Sequence, residues 1–395
     1  MDFPAQYART RRFSLGAPRS IMVAGGGRFV YFLRATQGDD PLLCLWSFDP
    51  ETRVETLLVD PRQLLGDSPG ELPAAERARR ERARESATGI VDFSTSTDGT
   101  TIAFALNGEL FVHRAGTTHA LAAADGVFDP RVDPTGTAVA YVANDALHLI
   151  ELDANGAGTD ATTEVASDPD PLVSWGKAEF VAAEEMDRSR GFWWSPDGRE
   201  LLVARVDNRP VEAWWIGDPA NPQRAPHEIR YPAAGTANAA VELWITDRTG
   251  ERRSIDWSDG GAYEYLNQVV WTAGHAPLIV RETRDQRSMS IGLVDTTSGI
   301  ATEIRRVADD VWVEGFPGSP TWSGTQLLTI EDRTEVTGAP GGRRALCVDG
   351  QVLDLPGTQV RSIVGTTANG RIVVSAWTDP TEVHVGLVEP GSPAT

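Results

Sequence analysis

The sequence contains one adjacent pair of glutamates, Glu184-Glu185, in the segment EFVAAEEMDRSRGFWWSPDG that runs from Glu179 to Gly198. Phe180, Val181 and Met186 can anchor a short excursion there while the two carboxylates project. Neighbouring carboxylates repel each other, so a cavity mouth carrying both would hold a cation such as a primary ammonium through charge-assisted hydrogen bonds. Two solvated glutamates on an acidic surface is the competing reading. A second charged stretch, ELPAAERARRERARE from Glu71 to Glu85, predicts a helix with Pro73 in its first turn. Glu76 and Arg80 form an attractive i,i+4 pair, and Glu81 and Glu85 a repulsive one. With no apolar stripe, this helix is either a solvated rim insertion or the wall of a wet cavity. Gly66-Asp67-Ser68-Pro69-Gly70 fits the G-x-S-x-G pattern of a serine nucleophile. Pro69, however, has no N–H to give an oxyanion hole. Ser68 is therefore read as a turn or cap residue, and no catalytic residue is assigned. The six histidines are scattered without metal-ligand spacing, so neither a metal nor a cofactor is expected.

The elements that position these residues follow from a recurring turn. Trp193-Trp194-Ser195-Pro196-Asp197-Gly198 precedes the apolar run Leu201-Leu202-Val203. Near-copies stand at STSTDGTTIAFA (94–105) and DPRVDPTGTAVAYV (129–142), and weaker ones near residues 22, 270, 321 and 365. Pro presets φ, Asp or Thr bonds back to the backbone, and Gly accepts positive φ. The β-branched and aromatic run that follows makes a strand. Many short strands at regular spacing predict an all-β fold, a β-propeller with short helical insertions. At about 40–45 residues per blade the 395 residues allow eight four-stranded blades, or seven if insertions take up length. A pair of β-sandwiches is the alternative.

Composition narrows the function. Hydrophobic content of 41% with 12 Trp is ample for a core. A formal charge of −20 repels phosphate backbones, so nucleic acid is not an expected partner. No apolar run approaches the ~18 residues of a membrane span, and the N-terminus has no apolar leader. Cys44 and Cys347 do not make a disulfide framework, and reduced thiols in a cytoplasmic protein are expected.

Taken together, AEFVAAEEMDRSRGFWWSPDG, the arginine-bearing ERARRERARESATGIVDF and the strand RYPAAGTANAAVELWITD resemble the dipeptidyl peptidase IV branch of the prolyl oligopeptidase family. The resemblance extends from Phe13 to Val388. It implies an eight-bladed propeller that caps an α/β-hydrolase domain and holds the free N-terminus of a peptide substrate. The glutamate role falls on Glu184 and Glu185, and an arginine role on the 79–84 stretch, with Arg80 or Arg84 expected. Residues 1–18 would then pack on the hydrolase domain, 19–390 form the propeller and 391–395 begin a linker. The family's catalytic serine, aspartate and histidine lie downstream of the propeller, so this chain is expected to be the recognition half of a serine exopeptidase. Its expected partners are peptides with a free N-terminus and the hydrolase domain, with a homo-oligomer allowed. A stand-alone interaction scaffold is the alternative.

Overall fold

The structure, a computed structural model, describes residues 2–65, 72–82, 84–333 and 342–391. Its strands form consecutive antiparallel meanders. The first sheet orders Arg19–Ala24, Phe29–Ala35, Leu42–Asp49 and Val54–Val59. The second runs from Ser94–Thr95 to Thr117–Leu121, the third from Phe128–Val132 to Gly158–Ala166, and the fourth ends on Arg252–Ile255. The fifth spans Tyr265–Val270 to Ile300–Ala308 and the sixth Thr321–Ser323 to Gln351–Val352. The seventh has three strands, Gln359–Thr366, Ile372–Trp377 and His384–Val388. In five of the seven sheets every strand pairs with the next in sequence, which is how a propeller blade is built; the first sheet adds Thr88–Gly89, parallel to Leu42–Asp49, and the fourth is interrupted by insertions.

Seven blade-type sheets are therefore present among the described residues, the lower of the two counts the sequence allows. Residues that could have made another blade are spent on insertions. Helices α2 (Arg62–Leu65) and α3 (Ala74–Arg82) separate the first two sheets, after α1 (Phe3–Arg9) at the start of the chain. The fourth sheet carries both a helix, α4 (Phe180–Glu185), and a two-stranded hairpin, Ala213–Ile216 with His227–Arg230. The motif around Ser68 lies outside the described residues. No helix among those described is long and apolar enough to cross a membrane.

The repeated turn works as its residues suggest. The fully buried carboxylate of Asp133 accepts the N–H groups of Thr135, Thr137 and Ala138 at 3.0, 2.6 and 2.7 Å, while Gly136 turns the chain at φ 74°. In the next blade's copy, a Cβ on Gly198 would stand 2.5 Å from Asp133 Oδ2. Glycine thus serves the turn and the close approach of one turn to the next. Apolar side chains from consecutive sheets interlock, as Ala103 and Val112 do with Val139 and Tyr141. Leu328 and Leu346 interlock in the same way with Ile363 and Ile372.

Two compact units are distinguished, residues 1–240 with 244–253, and residues 241–243 with 254–395. The division falls inside the strand Ala240–Asp247, within the stretch expected to be one propeller. Both cysteines are buried free thiols. Burial pushes the Cys44 thiol up to about 11, with Asp60 adding to the effect.

Candidate functional site

The fourth sheet has an interrupted first strand. Val173–Trp175 pairs with the far end of Glu200–Asp207, Val173 opposite Asp207 and Trp175 opposite Arg205. Phe192–Trp194 then pairs with the near end of the same strand, Phe192 opposite Val203 and Trp194 opposite Leu201. The acidic excursion leaves the sheet between these two half-strands and returns to it. At its neck Lys177 and Arg190 form an antiparallel bridge. A Cβ on Gly191 would come within 2.4 Å of the Lys177 nitrogen and 2.5 Å of the Gly176 carbonyl carbon, so only glycine lets the neck close.

Helix α4 has six residues, too few to hold itself together in water. Two features fix it. Ala182, within the helix, is fully buried, and its carbonyl accepts the N–H groups of Met186 and Arg188 at 3.2 and 3.0 Å. Glu179, at the N-cap, makes no capping bond with its side chain. Its carboxylate instead reaches past the helix to the Arg188 guanidinium at 2.6 Å, with both side chains only 4% and 6% exposed. The other arm of Arg188 donates to the Arg190 carbonyl at 2.8 Å, and its guanidinium stands 6.0 Å over the Trp193 ring. A buried ion pair thus clasps the two ends of the helix to the strand that follows.

This clasped helix forms one wall of a cavity of about 410 Å³. Glu184 lines it, as do Glu179 and Asp187, and Arg79, Lys177 and Arg230 supply the opposite charge. Phe128, Phe180 and Val206 give it an apolar part. Tyr231 backs Phe180 edge-on at 5.2 Å and Trp214 packs on Tyr231 at 5.6 Å. Glu185 is exposed and is not among the lining residues.

The arginine helix meets the same cavity, as a wall and not as a solvated rim, through Ala78 and Arg79. Arg79 is held by two bonds to Glu76, Nε to Oε2 and Nη2 to Oε1, both 2.8 Å. The two arginines expected from the sequence are placed differently. Arg80 is buried, with Nε on Glu76 at 2.6 Å and Nη1 on the Ala87 carbonyl at 3.3 Å. Arg84 is exposed, just beyond the helix, in a left-handed turn at φ 50°. Neither lines the cavity; the i,i+3 neighbour of Glu76 does. Helical phase decides which arginine faces inward, and phase cannot be read from a stretch with an arginine at almost every second position.

A second polar group lies close by. Arg131 donates through Nε to Asp129 and through Nη2 to Asp92, both at 2.6 Å. Burial opposes its charge, but the two carboxylates outweigh burial and hold the guanidinium above its ordinary value. Arg131 also offers its carbonyl to Trp194 Nε1 at 3.1 Å, which links the third sheet to the resumed strand of the fourth. Arg190 stands 3.7 Å from Asp129.

Lys177 and Glu179 were not singled out by sequence reasoning. For Lys177 a signal existed, since it is the only lysine in the sequence. Glu179 looked like one more acidic residue. Among the described residues no group of three or more His, Cys, Asp or Glu could hold a metal ion. The cavity offers carboxylates, guanidinium and ammonium groups and an aromatic wall. It is equipped to bind a small polar molecule by its charged ends.

Residues 115–335 match the family described as the dipeptidyl peptidase IV (DPP IV) N-terminal region. A probable dipeptidyl-aminopeptidase B of Chaetomium globosum is 29% identical over 202 residues, 46% of this chain and 21% of that protein. Human dipeptidyl peptidase 8 is 27% identical over 195 residues, 44% of this chain and 21% of the relative. The matched stretch thus spans about a fifth of these relatives' length. The crystal structure of Porphyromonas gingivalis dipeptidyl peptidase 4 superposes with a TM-score of 0.74 at 15% identity, covering 99% of this chain and 54% of that one. That likeness fixes the fold class as a β-propeller.

Proposed function

The chain belongs to the family of dipeptidyl peptidase IV N-terminal regions, and from that premise we propose that it is the substrate-admitting, N-terminus-recognising propeller of an exopeptidase that releases N-terminal dipeptides. One observation carries the reading. Glu184, on a helix that interrupts a blade strand, shares a cavity with Arg79, more than a hundred residues earlier in the chain. In this reading Glu184, with Glu185 at the rim, receives the ammonium of a peptide. Arg79, braced by Glu76, donates to a peptide carbonyl further along. An amino end fixed on α4 makes the distance to the scissile bond a ruler, because a longer extension would run into the helix. The bond itself is cut by an α/β-hydrolase domain, the partner this propeller would serve. The chain alone is expected to bind peptides and hydrolyse nothing.

The test is calorimetric titration of the chain with Ala-Ala and N-acetyl-Ala-Ala. A charge-assisted bond contributes about 1.5–3 kcal/mol, so acetylation or Glu184→Ala is expected to weaken binding at least about tenfold. Equal binding of the free and acetylated peptides would end the ammonium reading.

A further inference from the structure

Of the 36 cationic side chains in the sequence, 35 are arginine and one is lysine. That single lysine, Lys177, lies at the neck of the acidic excursion and on the cavity wall. We propose that Lys177 is a ligand-contacting residue that receives the carboxylate of a short peptide, so that the cavity's ligands are zwitterions with both ends free. The inference rests on the proposed seating of the amino end at Glu184.

The donors on the wall are not equally able to move. Arg79 commits two of its five N–H groups to Glu76, which fixes the plane in which the other three point. Arg230 donates through Nη1 to the Val211 carbonyl at 2.9 Å and pairs through Nη2 with Glu228 at 2.9 Å, while its Nε is sealed from solvent. Lys177 bonds Asp145 through one N–H, which leaves two of the three ammonium donors for a ligand. Its side chain is 27% exposed, and that of Asp145 is 42% exposed. An ammonium on a four-carbon stem can follow a carboxylate whose position shifts with the size of the peptide's residues, which a braced planar guanidinium cannot do.

Charge and size agree with this ligand class. Glu179, Glu184 and Asp187 line the cavity together with Arg79, Lys177 and Arg230, so the lining carries equal numbers of opposite charges. A zwitterion adds no net charge to such a wall. An extended dipeptide is ~7 Å long, and a sphere of the cavity's volume is roughly 9 Å across. The ligand with a free carboxylate is a released dipeptide or a very short peptide, so this contact would set how long the cavity retains a dipeptide.

Because the full chain has one lysine, its acylation reports on this position alone. The chain is treated with an amine-acetylating ester and mapped by mass spectrometry, with the N-terminal amine as internal control. Saturating Ala-Ala should slow Lys177 acetylation at least fivefold, and Ala-Ala-amide less than twofold. By calorimetry, Lys177→Met should weaken Ala-Ala at least tenfold while leaving the amide within twofold, so that the two become equal. Lys177→Arg, which keeps the charge, should restore part of the preference. Ala-Ala binding with unchanged Lys177 acetylation, or an unchanged acid-to-amide ratio in Lys177→Met, overturns the proposal. Equal binding of N-acetyl-Ala-Ala with Lys177 still protected overturns the seating at Glu184 instead and leaves the carboxylate contact standing. Failure of the wild-type chain to bind any of these peptides removes both.

Discussion

Glu282 ends a strand of the fifth sheet with its side chain buried, accepting from Asn267 Nδ2 at 3.3 Å. Burial pushes its pKa up to about 7; the Asn267 bond opposes the rise and Glu314 adds to it. An acid with a raised folded-state pKa is destabilising once ionised. Below the ordinary value of 4.5 both states carry the proton and nothing is lost. Between there and about 7 only the unfolded chain ionises, so stability falls as pH rises, by on the order of 3 kcal/mol in all. Glu282→Gln should flatten that slope, which denaturation midpoints at pH 5 and pH 8 will show. The Glu179–Arg188 pair makes a contrasting case. Arg188→Ala leaves a carboxylate buried without its partner and should destabilise by about 3–5 kcal/mol, whereas replacing both residues with methionine should lose less. Urea denaturation of the three chains decides this. Glu184 was legible in the sequence because it breaks the turn-and-strand repeat. Glu179 and Lys177 were not, because their places on the cavity wall depend on a neck that closes only when Gly191 lies against Gly176 and Lys177.

The excursion, the arginine helix and the repeated turns differ in how far sequence could reach. The turns were legible because Asp133 and Gly136 act within five residues of each other. The helix at Ala74–Arg82 was legible as a helix, but its inward face was not, since no apolar stripe sets its phase. Arg79 and Glu184 line one cavity although they lie far apart in the chain, and no local pattern records that. The neck gives this scale its prediction. Gly191→Ala drives a methyl into backbone with no flexible side chain to yield, so the bridge must open. Loss of at least about 2 kcal/mol is expected. Faster amide exchange at Ala183 and Met186 should accompany it, since their bonds belong to α4.

Across the whole molecule, the number of blades depends on how length is divided between strands and insertions, and periodicity alone does not apportion it. The N-terminal segment shows another such limit. Phe3, Tyr7 and Phe13 pack on one another at 5.6 to 6.1 Å, yet all three are exposed and α1 buries no residue. Removing residues 1–12 should therefore leave the melting temperature nearly unchanged while lessening self-association, since two of the three aromatics of the patch are lost. Sedimentation velocity beside calorimetry measures both. The interrupted strand of the fourth sheet has a consequence of a different kind. Its two halves pair with one neighbour on either side of a closed neck, so residues 178–189 stand as a parenthesis in the blade. Their clasp, Glu179 with Arg188, lies inside the parenthesis and would travel with it. A lineage could lengthen, shorten or exchange this cassette without shifting any register in the sheet, leaving recognition and scaffold free to evolve at separate rates.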